Sequence, residues 1–90
     1  MMKIVLDGDM SQGHNGYPPV PIHASSNVTI NGKKIALNGD LYSQHCKDSC
    51  HVPIIIGTSS VTINGVPIAL EGDSTNCGDH TTSSSSVNVS

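Results

Sequence analysis

Ninety residues with a net charge of −3 and only four Lys or Arg leave no basic stripe for phosphates, which excludes nucleic acid as a partner. No stretch approaches the ~18 apolar residues of a membrane-spanning helix, and Met1-Met2-Lys3-Ile4-Val5-Leu6 meets Asp7 too early for a signal peptide, so synthesis in the cytoplasm is expected. With no Phe or Trp, a core of Ile, Val and Leu is thin for one small domain spanning 1–90, and five His with three Cys make a metal the expected reinforcement.

The first element, Ile4-Val5-Leu6-Asp7-Gly8-Asp9, reads as a short strand that ends in a Gly-Asp turn. Loop one follows and carries His14. Pro18, Pro19 and Pro21 then stiffen an extended stretch and keep it out of a central ladder. His23 lies just before the next strand and aligns with Ile56 further on, so it is expected at the far end from the other histidines, as a surface or structural residue.

Ser25 to Asp40 is the first full repeat unit. It alternates apolar and polar residues on both sides of Asn31-Gly32, the strongest short-range sign of a two-residue β-hairpin. A type I′ turn there sets Ile30 opposite Lys33, Val28 opposite Ile35 and Ser26 opposite Leu37, which gives the hairpin one apolar and one polar face. Lys33 and Lys34 flank the turn as a solvated tip. After Gly39-Asp40 comes loop two, Leu41 to His51, with His45, Cys46, Cys50 and His51. Three cysteines do not favour a closed framework of disulfides, so Cys46 and Cys50 are either free thiols or a local bridge formed after export.

Thr58 to Asp73 repeats the first unit at an offset of 33, with Asn64-Gly65 at its turn and Val61 opposite Ile68. Loop three carries Cys77 and His80. Thr81 to Ser86 has the composition of a flexible linker, but Ser85 to Ser90 aligns with the first strand of the repeat and Ile4 to Asp9 with the second. The ends of the chain are therefore expected to form a third hairpin, cut open at its turn. Three equivalent hairpins around a pseudo-threefold axis, apolar faces inward, make an all-β, cone-shaped structure. No sustained 3.6-residue apolar period argues for a helix.

In that arrangement the three loops converge at one end of the axis. They bring His14, His45, His51, Cys77 and His80 together, and tetrahedral zinc is the ion that His and Cys ligands suit. Cys77-Gly78-Asp79-His80 is a C-x-x-H step whose two side chains can reach one ion. Loop two holds more candidates than one ion needs, and the residues do not choose between His45 and His51. Iron suits a similar set. Asp9, Asp40 and Asp73 could suggest calcium where they converge, but a turn role, with Asp bonding backbone amides, accounts for them.

The V-x-I-N-G strand, the I-A-L strand and Gly-Asp followed by His or Cys resemble the PAAR-repeat proteins over nearly the whole chain. The Pro-Ala-Ala-Arg wording is here Lys34-Ile35-Ala36-Leu37 and Pro67-Ile68-Ala69-Leu70, and loop two is longer than the common form. The resemblance implies a non-enzymatic tip. It caps a trimeric, VgrG-like spike protein of a type VI secretion system or a contractile phage tail, and one structural zinc held by three histidines and a cysteine pins its vertex. Carried onto this chain, that gives His14, a loop-two histidine, Cys77 and His80. It also implies loading in the cytoplasm, secretion with the spike, and transient contact with a target membrane. An adaptor that docks effector cargo on its flanks is the nearest alternative. A small zinc hydrolase is the other, and it would need a free metal position, a base and a cleft.

Overall fold

The computed structural model describes residues 2–14, 16–47, 49–85 and 87–89. Among these there is no helix. The strands, each two residues long, are β1 (Met2–Lys3), β2 (Ile22–His23), β3 (Thr29–Ile30), β4 (Lys33–Lys34), β5 (Leu41–Tyr42), β6 (His45–Cys46), β7 (Cys50–His51), β8 (Ile55–Ile56), β9 (Thr62–Ile63), β10 (Val66–Pro67), β11 (Ser74–Thr75) and β12 (Asn88–Val89).

Two hairpins form where the Asn-Gly pairs predict them. β3 pairs with β4, Ile30 opposite Lys33, and β9 pairs with β10, Ile63 opposite Val66. Asn31 and Gly32 have φ of 51° and 83°, and Asn64 and Gly65 have 52° and 83°. A type I′ turn needs positive φ at both central residues, and Asn followed by Gly meets that demand with least strain. The third hairpin is made from the two ends, β1 against β12, with Met2 opposite Val89 and Lys3 opposite Asn88. Of the expected closing strand, Ser86 and Ser90 lie outside the described residues. One side-chain turn recurs in all three units: Ser26, Ser59 and Ser85 each accept the N–H two residues on, from Val28, Val61 and Val87.

The second strands of the three units meet at the axis. Val5 N–H donates to the Ala69 carbonyl (3.0 Å), Ala69 N–H to Ala36 (2.8 Å) and Ala36 N–H to Val5 (2.9 Å), a closed ring of three hydrogen bonds. The bridges Ile4 with Leu70, Leu6 with Ile35 and Leu37 with Ile68 complete the cycle. Side chains alternate along a strand, so each Ile-x-Leu triplet feeds two core layers. Ile4, Leu6, Ile35, Leu37, Ile68 and Leu70 fill the layer at the hairpin end, backed by Ile30, Ile63 and Val66. Val5, Ala36 and Ala69 point the other way, into a layer with Val20, Ile22, Tyr42 and Ile55.

Because the second strands occupy the axis, the apolar face expected on each hairpin is only partly covered. Val28, Val61 and Val87, equivalent by the repeat, remain 44%, 40% and 38% exposed.

The chain leaves the axis through three equal turns. Leu6, Leu37 and Leu70 donate their N–H to the side chains of Asp9, Asp40 and Asp73 at 2.9, 2.7 and 2.8 Å. Each Asp N–H returns to the carbonyl of the same Leu. The aspartates are therefore turn residues, and their carboxylates are engaged by backbone. Beyond the turns, β2 pairs with β5, β8 pairs with β11, and Ser11 bridges Thr81, which carries all three loops toward the same end. The result is elongated, 36 × 23 × 22 Å.

Candidate metal centre

Loop one delivers His14 through a tight turn in which Tyr17 N–H donates to the His14 carbonyl (2.6 Å) and His14 N–H to that of Tyr17 (3.2 Å). Loop two is itself a small hairpin. β6 pairs with β7 so that His45 faces His51 and Cys46 faces Cys50, and the two cysteines form a disulfide. Directly opposed residues in an antiparallel pair share a face, so this register presents both imidazoles on one side. Loop three brings Cys77 in on a turn closed by Thr75 N–H donating to the Asp79 carbonyl (2.9 Å).

One ligand atom from each of His14, His45, His51 and Cys77 lies within 4.8 Å of the others, a group that could hold a metal ion. His14 Nε2 and His51 Nε2 are 3.4 Å apart, and His45 Nε2 and His51 Nε2 are 2.5 Å apart. Nitrogens bound to a tetrahedral ion at about 2.05 Å stand about 3.3 Å from one another, so the first distance already matches a tetrahedral edge.

Several neighbours prepare these rings. His45 is buried, and its Nδ1 donates to the Pro18 carbonyl at 3.0 Å. That bond leaves the lone pair on Nε2, the atom that faces the other ligands. Tyr17 stacks on His14, with ring centroids 5.1 Å apart and planes at 20°, and its hydroxyl meets the Ser49 hydroxyl at 3.1 Å. The Thr75 hydroxyl lies 3.3 Å from Cys77 Sγ. His51 titrates below its ordinary range because of desolvation first and then His45 and His14, with Asp79 opposing. This favours the neutral imidazole that a metal requires.

The structure brings together four of the five candidate residues and leaves His80 outside. The C-x-x-H step fails to deliver both ends because side chains alternate here: Asp79 turns inward and is fully buried, and His80 turns outward and is exposed. The His80 N–H donates to Asp79 Oδ1 at 2.7 Å. Loop two supplies two histidines where one was expected, because their cross-strand register makes them neighbours. His23 is exposed on β2 and meets the Ser43 hydroxyl at 2.8 Å, as its alignment with Ile56 suggested.

Sequence reasoning gave Pro18 only a part in stiffening the chain and assigned no role to Tyr17 or Asp79. Nothing in composition or spacing marks Pro18 or Asp79, since both act on His45, which is distant in sequence. The surface hollows beside Ile30 and Lys33 and beside Gly8 and Met10 include none of the four converging residues.

A closed, three-hairpin β-fold with a His and Cys group gathered at one end defines a small all-β protein with a candidate metal-holding vertex. The family model for the PAAR motif matches residues 4–83, and the chain belongs to that family. No curated protein matches the chain.

Proposed function

We propose that this protein is the structural tip of a membrane-puncturing spike, of a type VI secretion system or a contractile phage tail, with one zinc held by His14, His45, His51 and Cys77. The single observation that carries this reading is the convergence of those four ligand atoms from all three loops at one end of a pseudo-threefold axis. An ion there supplies a cross-link among the three loops, at a vertex with little apolar core of its own. Four protein ligands complete a tetrahedron and leave no position for a reactive water, which speaks for a structural centre and against a hydrolase.

The opposite end suits a threefold partner. Val28, Val61 and Val87 present three equivalent apolar contacts, and a trimeric spike protein offers matching symmetry. The chain would be loaded in the cytoplasm and leave with the spike, and the Cys46–Cys50 bridge is compatible with an oxidising destination. A cargo-carrying role is favoured by one further observation. Leu41 and Ile56, 47% and 48% exposed, lie near each other on one flank, since Leu41 bridges Ile54.

Elemental analysis of the purified protein, with melts in the presence and absence of a strong chelator, tests the centre. About one zinc per chain, lost on His14→Ala or Cys77→Ser together with stability, is expected. No bound metal, or a melt indifferent to its removal, overturns the reading. Co-purification with a trimeric spike protein, weakened by Val61→Asp, tests the base.

A further inference from the structure

Asp79 is a turn residue in an unusual place. It is fully buried, its Oδ1 accepts the His80 N–H, and its Oδ2 has no hydrogen-bond partner among the described residues. Asparagine would serve that turn without placing a carboxylate in the interior, where an unpaired charge is strongly disfavoured. The group within ion-pair range of Oδ2 is His45 Nδ1, at 4.0 Å, and both side chains are shielded from solvent. His45 Nδ1 already donates to Pro18, so Asp79 does not serve as that ring's hydrogen-bond acceptor. What Asp79 faces is the back of an imidazole whose front, Nε2, lies in the His and Cys group.

Charge explains the placement. Three neutral imidazoles and one thiolate leave a divalent ion with one uncompensated positive charge, in a site with little water to screen it. A single carboxylate one ring away supplies the missing negative charge.

We propose that Asp79 is the outer-sphere counter-charge of the vertex, a buried carboxylate set behind His45 that neutralises a divalent ion held by His14, His45, His51 and Cys77. This rests on the metal-pinned reading above. It makes Asp79 a positioning and charge-balancing residue with opposite effects in two states. With the ion bound it stabilises the vertex, and with the ion stripped it is a buried carboxyl group that lacks its counterpart.

The test is Asp79→Asn in the full chain. Zinc affinity is measured by competition with a chromophoric chelator, melts are run on zinc-loaded and stripped protein, and the cobalt-substituted absorption spectrum is recorded. Affinity is expected to fall by about tenfold to a hundredfold. The loaded variant should melt lower than the loaded wild type, by roughly 5–10 °C for the tenfold case. The stripped variant should melt no lower than the stripped wild type. Asp79→Glu, which keeps the charge, should recover part of the affinity, and the cobalt–thiolate bands should shift in the Asn variant alone.

A purely structural role would lower both melts equally, and that result overturns the proposal. So does an unchanged affinity in a chain whose wild type binds zinc, or an Asn variant that fails to fold when the stripped wild type folds. If the stripped wild type itself does not melt cooperatively, the affinity and the Glu rescue decide. A wild type that binds no zinc instead removes the metal reading on which this inference stands.

Discussion

Replacing Cys46 and Cys50 together by Ser opens the small hairpin that carries His45 and His51. The bridge closes a loop with a sequence separation of 4, and the chain-entropy relation for a loop of about five residues gives about 2 kcal/mol at 25 °C. For a domain of this size each kcal/mol moves the melting midpoint by about 4–8 °C, so the zinc-loaded variant should melt roughly 8–16 °C below the bridged protein. The ion-free variant should lose less, because without the bridge or the metal its hairpin can fray and regain entropy in the folded state. That difference must appear as binding. The ion then closes the hairpin itself, and affinity should fall by up to about thirtyfold, the equivalent of 2 kcal/mol. Melts of loaded and stripped protein, oxidised and reduced, with a chelator-competition titration of each, measure all four corners of the cycle. If the loaded protein loses nothing and the affinity is unchanged, the bridge does not constrain the ligand-bearing hairpin, and the link drawn here between register and site is wrong.

Tyr42→Phe should be neutral or stabilising, by up to about 1–3 kcal/mol in chemical melts, since the hydroxyl it removes is buried without a partner among the described residues; a loss of stability would show that the hydroxyl is bonded. Asp40→Ala should cost about 3 kcal/mol or more and Asp73→Ala clearly less, because Asp40 accepts from the Leu37 N–H, the Ser25 N–H and the Ser25 hydroxyl, whereas Asp73 accepts from the Leu70 N–H. Burial raises the Asp73 carboxyl above 3.8, with the Leu70 N–H opposing. The folded state therefore holds that proton more tightly than the unfolded state, and Asp73 opposes folding as pH rises through and beyond 3.8. Asp73→Asn should flatten that decline, and an unaltered pH profile would contradict the assignment. Deleting residues 87–90 removes β12 and the Val87 carbonyl that accepts the Ile4 N–H at 3.1 Å; the whole fold should be lost in circular dichroism, and an unchanged melt would refute closure by the termini.

Much of the architecture is local and therefore legible in the residues. Asn31-Gly32 and Asn64-Gly65 select their turns by backbone strain alone, and the Gly-Asp pairs select theirs by a carboxylate that bonds an amide three residues back. Repetition then supplied the long-range step. Once two units were aligned, the ends had to be halves of a third, and β1 against β12 follows. The same logic brought the loops to one end, so His14 and Cys77 could be named from position.

The remainder depended on register and side-chain direction, which no local preference encodes. Whether His45 or His51 points inward is undecidable along the chain, but once Cys46 faces Cys50 the two histidines face each other and both join the group. His80 is displaced because Asp79 takes the inward position beside it. The apolar alternation of the hairpins was visible, yet it could not say that the second strands would claim the axis and leave Val28, Val61 and Val87 exposed. Sequence by itself determined the turns, the threefold repeat and the end at which the chemistry gathers, since each is set by a few adjacent residues and their repetition. Only the tertiary structure decided which side chains meet there, because that choice lies with contacts such as His45 with Pro18 and with Asp79, made across 27 and 34 positions of the chain.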